Sequence, residues 1–170
     1  MLLAPLPPSA RLWTFVADRP VTQTDADVLL GSLKPFLSAW TSHGRPVPAA
    51  SALVHDRFLL VGAHIEENAP NAGVSGCGID AMRHAVDSAA ARLDIAWADG
   101  LHVVYEQPTG AVQVVPRRVF RALVREGAVD GTTPVFVTTL ETVGALRTDG
   151  LRRRASETWH ARVFRLAVTA

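Results

Sequence analysis

The chain is predicted to be an α+β domain, an antiparallel or mixed sheet with its helices mainly on one face. It should open as a ferredoxin-like β-α-β-β-α-β series and close with a C-terminal β-α-β extension. Three observations predict this. Short runs rich in aromatic and β-branched residues alternate with longer segments of helical periodicity; two pairs of those runs are joined by short turns, which make antiparallel neighbours; and 170 residues, 48% hydrophobic and 19% charged, suit one domain that folds without staples. The expected organisation is a single domain over 1–170, with an extended N-terminal arm at 1–10 and a docked basic C-terminal tail at 141–170.

Arg11 to Ala17 (RLWTFVA) reads as the first strand, stopped by Asp18-Arg19-Pro20. Thr24 with Asp27 resembles a capping box, and Leu29, Leu33, Phe36, Leu37 and Trp40 recur at helical spacing, with a kink expected near Gly31 and Pro35 and Gly44 as the terminating glycine. On that reading Trp40 and His43 lie one turn apart at the helix end. Ala50–His55 and Phe58–Ile65 read as a hairpin turning at Asp56-Arg57, the second strand central because it is almost wholly apolar. Glu66 to Gly76, long and rich in Asn, Pro and Gly, is a candidate functional loop that leads into a second helix. That helix buries Ile79, Met82, Val86, Ala89, Ala90 and Leu93, and its spacing puts Cys77, Asp80 and His84 on the opposite side. Leu101–Glu106 and Ala111–Val115 form another hairpin, Pro116 opens a short basic helix that ends at Gly127, and Thr133–Leu140 is the last strand.

The apolar opening Met1 to Pro8 carries three prolines and no basic residue, so neither a signal peptide nor a membrane anchor is expected. One cysteine makes no internal disulfide, which fits a reducing, cytoplasmic address. The net charge of +1 conceals an asymmetry: residues 1–110 hold 7 basic and 11 acidic side chains, residues 111–170 hold 10 arginines and 5 acids. Arginine's planar fork suits phosphate or carboxylate, so an anionic partner is consistent with the basic third.

Ser75-Gly76-Cys77-Gly78-Ile79-Asp80 sets a cysteine in the first turn of a helix between glycines. The macrodipole and free amides favour a thiolate there, and the same amides would cradle a phosphate or carboxylate without covalent chemistry. His84 is too far along the helix to reach the sulfur; His43 or His160 would have to arrive from elsewhere as the base. GxxxxGK[ST] is absent and the one lysine, Lys34, lies in the first helix, which excludes a P-loop ATPase. No CxxC, HxxxH or HxH spacing occurs, so no metal site and no cofactor are expected, and His55, His64 and His102 read as structural. Arg152-Arg153-Arg154 beside Trp159 would suit a nucleic-acid backbone, with Asp149 and Glu157 diluting the charge.

Three segments, Trp40-Thr41-Ser42-His43-Gly44, Ser75 to Asp80 and Thr158-Trp159-His160-Ala161-Arg162, in this order and spacing, resemble a family of small bacterial proteins of the Bacteroidetes type that often carry the label "ABC transporter ATPase". The label conflicts with the missing P-loop and the short chain, and Val163 before Phe164 departs from the family's usual aromatic pair. The resemblance implies that Trp40, His43, Cys77, Asp80, Trp159, His160 and Arg162 are parts of one site, and it implies no established activity.

The expectation is therefore a small-molecule or anion-handling domain. Cys77 is its nucleophile or redox thiol, His43 or His160 the base, Asp80 beside them, and Ser75, Gly76, Gly78, Trp40, Trp159 and Arg162 bind the ligand. The alternative is a noncatalytic module that binds protein or nucleic acid through the arginine-rich third. No membrane partner is expected.

Overall fold

The structure, a computed structural model, describes residues 2–64 and 74–166. It is α+β with antiparallel sheets, and these residues group into two compact units: residues up to Trp97 with Leu140–Thr148, and Ala98–Thr139 with Asp149 onward.

Unit 1 contains β1 (Arg11–Val16), α1 (Gln23–Ala39), β2 (Thr41–Ser42), β3 (Arg45–Pro46), β4 (Ala49–Val54), β5 (Phe58–Ala63) and α2 (Gly76–Ala91). Its three-stranded sheet runs β1-β5-β4, antiparallel at both pairings, with Trp13 opposite Val61 and Ser51 opposite the same Val61. β5 is buried along its whole length because both faces are covered. On one face Leu59, Val61 and Ala63 meet Leu29, Leu33 and Leu37 of α1 and Met82, Val86 and Ala89 of α2, so the apolar stripes of both helices lie on the same side of the sheet. On the other face Gly62 leaves room for Leu3, Leu6 and Val143: a methyl group there would stand 2.6 Å from Leu6 Cδ1 and 3.1 Å from Leu3 Cδ1.

The first residues are turned rather than extended. Leu6 N–H donates to the Leu3 carbonyl and Ala10 N–H to that of Pro7, and Leu3, Leu6 and Ala10 are buried. Two leucines three apart gain more from covering Gly62 than from staying in solvent, which is why the segment folds back. Arg147 of α4 (Val143–Asp149) holds it there by donating to the carbonyls of Leu2, Leu3 and Leu6, at 2.8 Å for Leu3 and 3.0 Å for Leu6.

α1 runs unbroken from Gln23 to Ala39 with Pro35 inside it. Its cap is Thr22, whose hydroxyl accepts from Asp25 N–H at 3.1 Å, two residues before the expected Thr24. It does not continue to Gly44. Trp40 is the extended C-cap, and Thr41–Ser42 pairs with Arg45–Pro46 across His43 and Gly44, both at positive φ (52° and 75°). The glycine serves a hairpin turn with two left-handed residues instead of a helix end. The β4–β5 turn is likewise centred one residue earlier than expected, on His55 and Asp56, both at φ 51°.

Unit 2 contains β6 (His102–Glu106), β7 (Val112–Pro116), α3 (Arg117–Arg125), β8 (Pro134–Phe136), β9 (Arg152–Arg154), a 3₁₀ turn (Ala155–Glu157) and α5 (Trp159–Phe164). Its sheet order is β7-β6-β8-β9, all antiparallel, so the fourth strand of the β-α-β-β-α-β series joins this second sheet and not the sheet of β1. Phe120, Val103, Tyr105, Val135 and Phe164 form its core, with Phe120 and Phe164 packed edge to face at 4.8 Å. Residues 141–166 belong to both units: α4 to the first, β9 and α5 to the second. No helix among the described residues is long and apolar enough to cross a membrane.

Candidate functional site

α2 begins where the sequence places it. Ser75 caps the helix, its hydroxyl accepting from Gly78 N–H at 3.1 Å, and Ile79 N–H reaches the Ser75 carbonyl. Gly76 and Cys77 therefore hold the first-turn amides that helix geometry leaves without an intrahelical acceptor, and both residues are exposed. Asp80 and His84 are exposed on the same outward side, as the spacing predicts. Most of the loop expected to carry function, residues 66–73 of 66–76, lies outside the described residues.

The hairpin after α1 is fastened to this helix start. Ser42, only 5% exposed, accepts from Ser75 N–H at 3.1 Å. Trp40 is buried beside Gly78: a methyl group on Gly78 would lie 3.3 Å from the indole Nε1, and 3.0 Å from Val74. Gly78 thus lets the indole edge reach the helix backbone. The indole N–H is buried with no hydrogen-bond acceptor among the described residues, an expensive state for a donor, costing about 1–3 kcal/mol. Trp40 also packs against Phe36 and Trp13, with ring centres 5.4 and 6.3 Å away. His43 sits exposed at the tip of the same hairpin. Among the described residues no imidazole is hydrogen-bonded to the Cys77 sulfur.

Trp159, His160 and Arg162 belong to unit 2. Thr158 caps α5 and its hydroxyl donates to the Ala155 carbonyl, so at 2.7 Å from His160 Nδ1 the same oxygen accepts an Nδ1–H. His160 is 1% exposed, stacked on Trp159 at 3.8 Å and beside Phe120. Burial, aided by the positive charge of Arg117, pushes its pKa down to about 4, so the ring is neutral at ordinary pH. It is a packing group of the α3–α5 core. Arg162 is exposed on α5.

The arginines also sort themselves. Arg152 makes a two-point ion pair with Glu106, at 2.8 and 2.9 Å, and Arg153 lies 3.9 Å from Glu157, so two of the Arg152–Arg154 run are already engaged. The sequence reading assigns no role to Ser42, named only within the Trp40–Gly44 segment, or to the individual arginines of α3, read only as a short basic helix. Spacing signals the latter: Arg117, Arg121 and Arg125 recur every four residues. No group of three His, Cys, Asp or Glu side chains among the described residues is placed to hold a metal ion.

Comparison with known proteins finds no matching family model, no matching curated protein and no matching solved structure.

Proposed function

We propose that unit 1 binds a small anion, a phosphate or a carboxylate, at the start of α2. The observation that supports this reading is the buried indole N–H of Trp40 beside Gly78, without an acceptor among the described residues, next to the first turn in which Gly76 and Cys77 are exposed. Donors of this kind favour an anion through both hydrogen bonding and the helix dipole. Three such bonds near the upper end of about 1.5–3 kcal/mol each, against an association cost near the lower end of about 4–15 kcal/mol, correspond to a dissociation constant on the order of millimolar. Cys77 stands at the rim of this site, and with no imidazole bonded to its sulfur the reading is one of binding, with the thiol as neighbour of the ligand.

Titration of the full chain with inorganic phosphate, followed by amide and indole NMR at constant ionic strength, tests the reading. Saturable shifts should appear at Gly76 N–H, Cys77 N–H and the Trp40 indole N–H. Shifts absent at these three, or no larger than with chloride, would refute it.

A further inference from the structure

Unit 2 carries nine arginines against six carboxylates, and the excess is concentrated on α3 and α5. Arg117, Arg118, Arg121 and Arg125 of α3 are all exposed, and at 3.6 residues per turn they fall within an arc of about 100°. The opposite side of the helix holds Phe120 and Leu123 in the core. α5 lies alongside: the Arg117 guanidinium is 5.3 Å from the Trp159 ring centre and that of Arg121 is 5.9 Å from the Phe164 ring centre. Arg162 of α5 and Arg165, its left-handed C-cap, are exposed as well and add to the positive charge of this part of unit 2.

None of these six arginines is ion-paired with a carboxylate among the described residues. Two acids stand near them: Glu126, the exposed C-cap of α3 next to Arg125, which is in no ion pair among the described residues, and Asp99, next to Gly100, whose carbonyl accepts from Arg117; the Asp99 carboxylate is held by Leu101 N–H and His102. Four like charges on one face of α3 cost repulsion, and among the described residues no carboxylate pairs with Arg118 or Arg125 to relieve it. An external polyanion would.

We infer that the α3–α5 face of unit 2 binds the phosphodiester backbone of a nucleic acid. A rise of 1.5 Å per residue spaces Arg117, Arg121 and Arg125 about 6 Å apart along the helix axis, on a row that turns about 40° per step, comparable with successive phosphates on a strand. The α3 stripe contains no apolar side chain, since exposed Val119 projects outside the arc. A protein interface would need an aromatic or apolar anchor there, whereas nucleic-acid interfaces are polar and positively charged. Trp159 is covered by His160 and Arg117 and offers no free ring for base stacking, so recognition is of the backbone and indifferent to sequence.

Fluorescence anisotropy of the full chain with a labelled oligothymidylate tests this, with oligoglutamate of similar charge as competitor. Binding should fall steeply with salt, log K against log salt having a slope of about −0.7 per phosphate neutralised. Arg118→Ala with Arg125→Ala should lower affinity roughly 50-fold at about 50 mM salt and flatten the slope by about 1.4. Both side chains are exposed and neither is ion-paired among the described residues, so the thermal transition should not move. The paired Arg152→Ala should change affinity less than threefold. An unchanged affinity in the double variant, salt-independent binding, or displacement by oligoglutamate as effective as by unlabelled oligothymidylate would overturn the inference, the last pointing to an acidic protein partner.

Discussion

Replacing the buried imidazole of unit 2 should remove one identifiable part of its acid sensitivity. His160 titrates near 6.5 in the unfolded chain and at about 4 when folded, a difference of about 3 kcal/mol. Above pH 6.5 neither state holds the proton. Between 6.5 and 4 the unfolded chain binds a proton that the folded unit refuses, so stability declines as the pH falls, and below 4 the whole contribution is lost. His160→Gln keeps a donor for the Thr158 hydroxyl and does not titrate. Urea unfolding followed through the amide signals of Val103 to Tyr105 reports unit 2 directly. Relative to His160→Gln, the natural chain should lose about 2.5 kcal/mol between pH 7 and pH 4.5. An equal dependence in both proteins would refute the assignment of a buried, neutral ring.

Three further outcomes follow from the packing. Gly31 in α1 has nothing within 4 Å of an added methyl group, so Gly31→Ala should raise stability by about 0.5–1 kcal/mol, while in α4 the methyl of Gly144→Ala would stand 2.9 Å from the Pro8 carbonyl oxygen and should cost about 1–3 kcal/mol; thermal melts of the two variants should move in opposite directions. Arg147→Met should cost about 2 kcal/mol, and hydrogen exchange should show faster opening of residues 2–10, because the Leu2 and Leu6 carbonyls lose the guanidinium and that of Leu3 is left with Leu6 N–H alone. Ser42→Ala leaves Ser75 N–H without its acceptor, so it should cost about 1 kcal/mol and weaken phosphate binding at α2 several-fold in the NMR titration.

Much of this architecture was legible in the sequence because it rests on periodicity. The buried stripe Met82, Val86, Ala89, Ala90 of α2, with Cys77, Asp80 and His84 facing outward, is read directly from a period of 3.6. What failed was punctuation with two meanings. Gly44 has the same positive φ whether it ends a helix or turns a hairpin, and only the extended Trp40 backbone and the pairing of Thr41 with Pro46 decide between them. The hairpin of His102–Glu106 with Val112–Pro116 is legible from its turn, but strand patterns do not name distant partners, so nothing in His102–Glu106 reveals that it also pairs with Pro134–Phe136 in a second sheet. Leu3 and Leu6 looked like an extended arm because the cavity they fill is made by Gly62, far along the chain.

At the candidate site the chemistry was visible and the surroundings were not. The Ser75 cap and the exposed cysteine follow from local residue types, but the burial of His160 depends on long-range packing against Phe120 and Trp159. The α3 arginines were read as a basic helix, yet their freedom from ion pairs appears only once Glu106 and Glu157 are seen to engage Arg152 and Arg153.

The most direct test of anion binding at α2 is the rate of Cys77 alkylation by iodoacetamide, a neutral reagent, with and without phosphate at fixed pH and ionic strength. A ligand on the Gly76 and Cys77 amides should slow the reaction saturably, with the midpoint found by NMR. A rate that phosphate leaves unchanged would contradict the proposal.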